Sequence, residues 1–279
     1  MKIHIGRTII ISAILATTFQ SCSTSKGTVN GSSEQPISAI ETLAAQNTDA
    51  TLWFATSAEY YYLAKMTFEF ASDKVYDELK KMNPDKTPAV ILDLDETVLD
   101  NSKYSLKMIQ EGQVYTEETW AEWCKMGVAP AIPGSLTFIR RCEELGIRVY
   151  YISNRDIAYL ESTLQNMRNL GLEAQPDNVL LKEDDSDKTV RRRSVLEHFE
   201  VLLYIGDNLR DYNEIFDQRD NNYGKNTVDD EFNNMKNKFI LLPNPMYGTW
   251  QKALYNNKSN LTNEEKIQEK KKEAQPIDR

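Results

Sequence analysis

Ile91-Leu92-Asp93-Leu94-Asp95-Glu96-Thr97-Val98-Leu99-Asp100-Asn101 is the stretch on which the reading of this chain turns. It opens on Ala89–Leu92, a short continuous apolar run with the texture of a strand buried on both faces of a parallel sheet. Similar runs recur at Ile147–Ile152, Val179–Leu181, Val201–Ile205 and Phe239–Leu242. Helix-length segments lie between them, at Gly134–Leu145, Ile157–Leu170, Asp187–Phe199 and Leu209–Phe216. Strand alternating with helix predicts an α/β fold, a doubly wound parallel sheet with right-handed crossovers.

Other segments depart from that rhythm. Ile37–Met82 contains no internal proline or glycine and reads as helical up to Asn83-Pro84; its aromatic residues are read as a packing face. Asn101–Ile132 is a long insertion after the first strand, carrying Trp120 and Trp123. Ligands of open α/β sheets bind at the carboxyl ends of strands, so an insertion there would sit over the site as a cap. Asn and Asp crowd residues 217–237, expected to be a loop. Residues 256–279 form a Lys/Glu-rich tail, expected as a surface helix or a frayed end with no chemistry to read. The expected organisation is a leader (1–21), a tether (22–36), a single domain (37–255) capped by 36–82 and 101–132, and the tail.

Polar groups gather where three of the strands end. The first strand runs into Asp93 and Asp95, the second into Ser153-Asn154-Arg155-Asp156, and the fourth into Gly206-Asp207-Asn208-Leu209-Arg210-Asp211. On a parallel sheet these ends converge on one rim. One carboxylate of the first pair can attack phosphorus in line. The other can protonate the leaving oxygen and then take a proton from water. Asp207 and Asp211 offer the anionic oxygens that Mg²⁺ prefers. Ser153 supplies a hydroxyl and a backbone N–H at a strand-to-helix turn, a suitable phosphate cradle. A lysine should balance this charge. Lys188, near the start of a helix, is preferred to Lys182 at the end of the third strand, although spacing alone does not separate them.

Composition narrows the chemistry further. The 279 residues include 42 acids, 33 Lys and Arg, two His and three Cys, with a formal net charge of −9. One histidine, His4, falls in the leader, so a two-histidine phosphatase site or a multi-His zinc site cannot be built from the rest. Cys22, Cys124 and Cys142 are too few and too scattered for a Cys-type zinc site or a CxxC redox pair. Cys124 and Cys142 could pair or stay as buried thiols. The acidic balance argues against duplex nucleic acid as a partner. It does not count against a small phosphorylated ligand, which a local pocket can attract.

The first residues read as a targeting segment. Lys2 and Arg7 precede an apolar run, Ile9–Phe19, too short to span a bilayer comfortably. Ser21-Cys22 and a polar tract then follow, and this arrangement resembles a bacterial lipobox. It implies export and lipidation of Cys22, with the protein anchored to the cell envelope, the outer membrane being the expected place.

The residues also resemble a family. Asp93-Leu94-Asp95-Glu96-Thr97-Val98-Leu99 looks like the first motif of haloacid dehalogenase superfamily phosphatases. The longer segment Ile91–Asn101 with Tyr104, and Ile205-Gly206-Asp207-Asn208-Leu209-Arg210-Asp211-Tyr212, resemble the paired signature of class C bacterial acid phosphatases, the lipoprotein 5′-nucleotidases with four essential aspartates. The likeness extends through Ser57–Tyr60, Ile132-Pro133-Gly134, Tyr151–Asp156 and Leu242–Gly248, and so covers roughly residues 45–255. It implies a Mg²⁺-dependent phosphatase acting on phosphate monoesters such as nucleoside monophosphates, with an acid optimum. Asp93 would be nucleophile and metal ligand. Asp95 would be the acid/base whose backbone carbonyl touches the metal, and Asp207 and Asp211 would complete the metal site. Ser153, Asn154 and Lys188 would hold phosphate, while Trp120 and Tyr247 would clamp the leaving group, with Trp123 as the other candidate. A phosphotransferase using the same intermediate and a non-catalytic ligand-binding lipoprotein are the alternatives; a homodimer is kept as an option.

Overall fold

A computed structural model describes residues 37–220 and 222–274. The leader, the tether and Cys22 lie outside the described residues, as do the last five residues of the tail. The strands are β1 (Pro88–Leu92), β2 (Arg148–Asp156), β3 (Val179–Lys182), β4 (Glu200–Gly206) and β5 (Phe239–Leu241). They form one sheet in the order β3-β2-β1-β4-β5, and every pairing is parallel. The chain builds outward from β1 to β3, then returns to the other side of β1 for β4. That reversal opens a crevice at the carboxyl end of β1, the usual ligand position in such sheets.

The apolar runs are continuous because both faces are covered. From β1, Val90 and Leu92 join a large cluster with Phe68, Phe138 and Leu164, whereas Ala89 and Ile91 join Val195 and Val201 on the other face. The first cluster is roofed by α3 (Ala58–Leu79), α6 (Ser135–Glu144) and α7 (Leu160–Asn169), and the second by α8 (Thr189–Leu196). Cys124 and Cys142 are buried free thiols in the large cluster.

The amino-terminal helical segment differs from the single run expected. It divides into α1 (Ala39–Gln46), α2 (Thr48–Thr56) and α3, broken at Asn47 and Ser57. Ser57 is extended, and its hydroxyl accepts the backbone N–H of Tyr60 at 3.0 Å, so it caps a new helix. The packing stripe is also narrower than the aromatic content implies. Tyr60, Ala64, Phe68, Ala71 and Val75 are buried, while Leu52, Tyr61, Tyr62 and Met66 are exposed.

The insertion after β1 folds as α4 (Ser102–Gln110) and α5 (Glu117–Met126), and α4 packs on α1 and α2. Leu209–Phe216, expected as one helix, forms two short 3-10 turns. Residues 217–237, expected as a loop, contain α9 (Lys225–Met235), which buries Met235 beside Phe216 and Phe239. The chain continues through α10 (Trp250–Leu254) to α11 (Asn263–Glu273). A capping box at Thr262 and Glu265 starts α11, Ile267 is buried, and the helix packs on α1. The tail is therefore ordered against the domain through residue 274. No described helix is long and apolar enough to cross a membrane.

Candidate active site

A cleft of about 640 Å³ opens over the carboxyl ends of the strands, within the size range of small-molecule sites. Asp93, Asp95, Ser153, Asn154, Lys188, Asp207, Asp211, Trp120 and Tyr247 all line it. Sequence position therefore brought every one of these residues to the same cavity. Lys182 is not among its walls.

The backbone at the end of β1 explains how two aspartates two residues apart serve one site. Asp93 N–H still donates to Ile205 O at 2.9 Å, so the first aspartate stays in the sheet ladder. The chain then turns tightly, with Val98 and Leu99 N–H both donating to Leu94 O at 2.8 Å. Glu96 sits at the apex with φ 59°, a left-handed conformation disfavoured for a glutamate. Its buried side chain accepts the Asn101 N–H at 2.8 Å and pins the turn from inside. Burial, reinforced by Asp95 and Asp207, holds this carboxyl well above the usual range. Glu96 is thus a buried brace of the turn.

Asp93 faces Lys188, whose Nζ lies 2.5 Å from its Oδ1 and 2.7 Å from Asp211 Oδ1. All three side chains are buried. Burial opposes the ammonium charge, but Asp211 and Asp93 more than offset it and raise the Lys188 pKa. Burial pushes the Asp93 carboxyl up to about 7; Lys188 opposes that shift, and Asp211 and Asp95 add to it. Asp207 is likewise raised, first by burial and then by repulsion from Asp211 and Asp93, with Asn244 Nδ2 donating to its Oδ2 at 2.7 Å.

Oxygens of Asp93, Asp207 and Asp211 lie within 4.8 Å of one another. An all-carboxylate set this close, with one lysine among it, suits a hard divalent cation. Gly206 makes the arrangement possible. A Cβ there would stand 2.2 Å from Asp211 Oδ2 and 2.5 Å from Asp211 Cβ, so any side chain would displace Asp211. Asp211 is held in turn by Asn208 N–H, which donates to its Oδ2 at 2.9 Å.

Asp95 points elsewhere, and its side chain is not part of the carboxylate cluster. Its carboxylate accepts Arg155 Nε at 2.9 Å, Asn101 Nδ2 at 2.8 Å and Ser153 Oγ at 3.2 Å. Arg155 is among the most completely buried large side chains described, and it also donates to Asn101 Oδ1 at 3.1 Å. Asn101 Oδ1 accepts the Trp123 indole N–H at 2.7 Å as well, so Trp123 is a buried strut. Trp120 forms the cleft wall, held edge-on by Tyr104 with ring centroids 5.2 Å apart and with the Arg155 guanidinium 5.6 Å from its centre.

Two arginines were given no role in the sequence reading. Arg155 appears there only as part of a strand end. The signal available was an arginine three residues past an apolar run, at a strand end where a buried guanidinium needs a carboxylate partner. Arg191, on α8, donates to Ser153 O at 2.5 Å and Asn154 Oδ1 at 2.8 Å. It ties the carboxyl end of β2 to the helix that Lys188 precedes. Asn154 thus lines the cleft with its side-chain oxygen already engaged.

This rim of aspartates on a doubly wound sheet, with a buried lysine against the first of them, defines a carboxylate-based phosphoryl-transfer site. The chain belongs to the HAD superfamily, subfamily IIIB (acid phosphatase), whose family model matches residues 7–250. Its structure is similar to that of the class C acid phosphatase from Bacillus anthracis, with a TM-score of 0.77 and 32% identity over 85% of this chain and 99% of that one. A structure of that protein with tungstate bound gives 0.80 and 34% over the same shares. Among curated relatives, "Acid phosphatase 1" of Solanum lycopersicum is 26% identical over 191 residues, covering 66% of this chain and 68% of the relative. A "Stem 31 kDa glycoprotein" of Glycine max is 26% identical over 165 residues, 56% of this chain and 58% of the relative. The protein is a phosphoric monoester hydrolase, and the non-catalytic alternative falls. HAD phosphatases typically use a divalent metal, a habit the carboxylate cluster fits.

Proposed function

We propose that the protein is a Mg²⁺-dependent acid phosphatase that hydrolyses nucleoside monophosphates and similar esters through an aspartyl-phosphate on Asp93. The observation that most supports this is the pairing of roles in one cleft. Asp93 lies against Lys188 and the Asp207–Asp211 cluster, while Asp95 is oriented separately by Arg155, Asn101 and Ser153.

In the first step a carboxylate oxygen of Asp93 bonds to phosphorus as the bond from phosphorus to the leaving oxygen breaks, and Asp95 gives that oxygen a proton. In the second, water attacks phosphorus, Asp95 takes its proton, and the acyl-phosphate P–O bond breaks to return Asp93 and release phosphate. Lys188 and the Ser153 hydroxyl and amide meet the charge on the phosphoryl oxygens, with Asn154 at the mouth. Asp93, Asp207, Asp211 and the backbone carbonyl of Asp95 would hold the cation. When bound, it screens nucleophile from phosphate and stabilises the charge of the transferring group. Trp120 and Tyr247 present ring surface to the leaving group, and stacking tolerates different bases.

A panel of phosphate esters assayed with and without Mg²⁺ across acidic to neutral pH tests this reading. Nucleoside monophosphates are expected among the best substrates, and an acid-quenched turnover mixture should contain phosphate bound to an Asp93 peptide. Indifference to the nucleoside, or turnover with no phosphorylated peptide, would refute those parts. An added alcohol that captured most of the phosphoryl group would move the assignment to a phosphotransferase. We further propose export and anchoring to the bacterial envelope, with the outer membrane as the destination, through a lipid on Cys22. Mass spectrometry of the membrane fraction should find an acylated peptide beginning at Cys22; a soluble protein with unmodified Cys22 would end that proposal.

A further inference from the structure

The cleft has a wall that the chemistry above does not use. It includes Leu43 and Ala44 of α1, Tyr255, and Asn263, Lys266 and Lys270 of α11. Lys266 and Lys270 are one helical turn apart and so share a face of α11, on either side of the level at which buried Ile267 fixes the helix. Each is partly buried, and neither ammonium has a hydrogen-bond or ion-pair partner among the described residues.

The helix's own acids are mostly engaged elsewhere. Glu265 accepts Thr262 N–H at 2.8 Å, Glu269 accepts Lys272 Nζ at 2.9 Å, and Glu273 accepts the Tyr223 hydroxyl. The acids that line the cleft are Asp93, Asp95, Asp207, Asp211 and Glu214, all at or just beyond the ends of β1 and β4. The lysine in contact with Asp93 is Lys188, at 2.5 Å, whereas the α11 pair lies on a different element of the cleft wall. Burial lowers the Lys270 pKa, and Lys266 adds to that. Two like charges one turn apart, partly desolvated and facing a cavity, destabilise a protein unless an anion joins them.

We propose that Lys266 and Lys270 form a distal anion subsite that selects phosphate monoesters whose leaving group carries a second phosphate. The ester phosphate would lie at Asp93, the leaving group along Trp120 and Tyr247, and the second phosphate against α11. The family match ends at residue 250, so nothing in the family model covers these lysines. The proposal rests on the phosphatase reading for the position of the ester.

The test uses bisphosphates of straight-chain diols of increasing length against alkyl monophosphates of equal length, with the full-length protein and Mg²⁺. The readout is the ratio of kcat/KM for bisphosphate over monophosphate, in which a general change of activity cancels. Beyond the factor of about two owed to two equivalent ends, the ratio should rise about tenfold or more at the length that spans the cleft, through KM. It should fall to the statistical value in Lys266→Ala/Lys270→Ala and persist in Lys266→Arg/Lys270→Arg. A wild-type ratio flat at every length, or one undiminished by the alanine pair, overturns the subsite. Calorimetric binding of the same compounds to Asp93→Asn separates the two readings. A length-dependent preference in binding that the alanine pair removes, with no ester hydrolysed by the wild type, would sink the phosphatase mechanism and leave the subsite standing.

Discussion

Asp93→Asn is expected to lower kcat by about four orders of magnitude or more while the protein still folds. The amide keeps the size of the carboxylate but cannot form the acyl-phosphate. Lys188 keeps a partner in Asp211, 2.7 Å away, so no buried ammonium is stranded. Burial disfavours the charged form and pushes the Asp93 carboxyl up to about 7, above its ordinary 3.8. The folded chain therefore binds the proton more tightly than the unfolded one, and stability falls as pH rises through that window. The amide of the Asp93→Asn variant has nothing to ionise. The metal-free variant should accordingly melt above the wild type at pH values beyond about 7, with that advantage gone below about 4. Thermal melts in chelator across pH, beside steady-state assays with Mg²⁺, check both halves. Near-normal turnover by Asp93→Asn would remove Asp93 from the mechanism.

Chelation should abolish activity and lower the melting temperature together. Asp93, Asp207 and Asp211 bring three carboxylates within 4.8 Å with Lys188 as their buried counter-charge. Without a cation this cluster is under-compensated. A ligand at about a hundred times its Kd stabilises the fold by about 2.7 kcal/mol, worth several degrees in a domain of this size. Mg²⁺ should restore both activity and the melting temperature after dialysis. Gly206→Ala is the counterpart of chelation in the chain itself. The new methyl would drive into Asp211, costing about 1–3 kcal/mol and lowering metal affinity by about ten- to a hundredfold. Undiminished turnover in excess chelator, with an unmoved melt, would refute metal dependence. Wild-type metal affinity in Gly206→Ala would refute the supporting role given to Asp211.

Much of this was legible in the chain. The strands announced themselves because both faces of the sheet are covered, so Ala89–Leu92 could be apolar throughout. Parallel strands then fixed where Asp93, Ser153 and Asp207 must end. That logic gives a residue's address but not its partner. It could not tell that Asp95 turns to Arg155 while Asp93 turns to Lys188, because those contacts join residues 60 and 95 positions apart. The breaks at Asn47 and Ser57 were hidden because capping residues can also sit in the middle of a helix. Residues 225–235 read as loop from their Asn and Asp content, yet packing of Met235 against Phe216 and Phe239 overrides that weak preference. The tail looked inert because its contact with α1 spans most of the chain.

The hydrogen bond from Asp93 N–H to Ile205 O has a consequence for how motion is shared out in this molecule. The Asp93 amide is stitched into the middle of the sheet, with β2 on one side of β1 and β4 on the other, so its exchange with solvent requires the sheet itself to come apart. The helices that form the walls carry no such stitching. α1, α4, α5 and α11 are held by side-chain contacts and by loops, and can open in smaller, cheaper units. Chemistry and ligand traffic are thus assigned to parts of different rigidity. The wall can open to admit or release an ester while Asp93 stays where the central strand puts it.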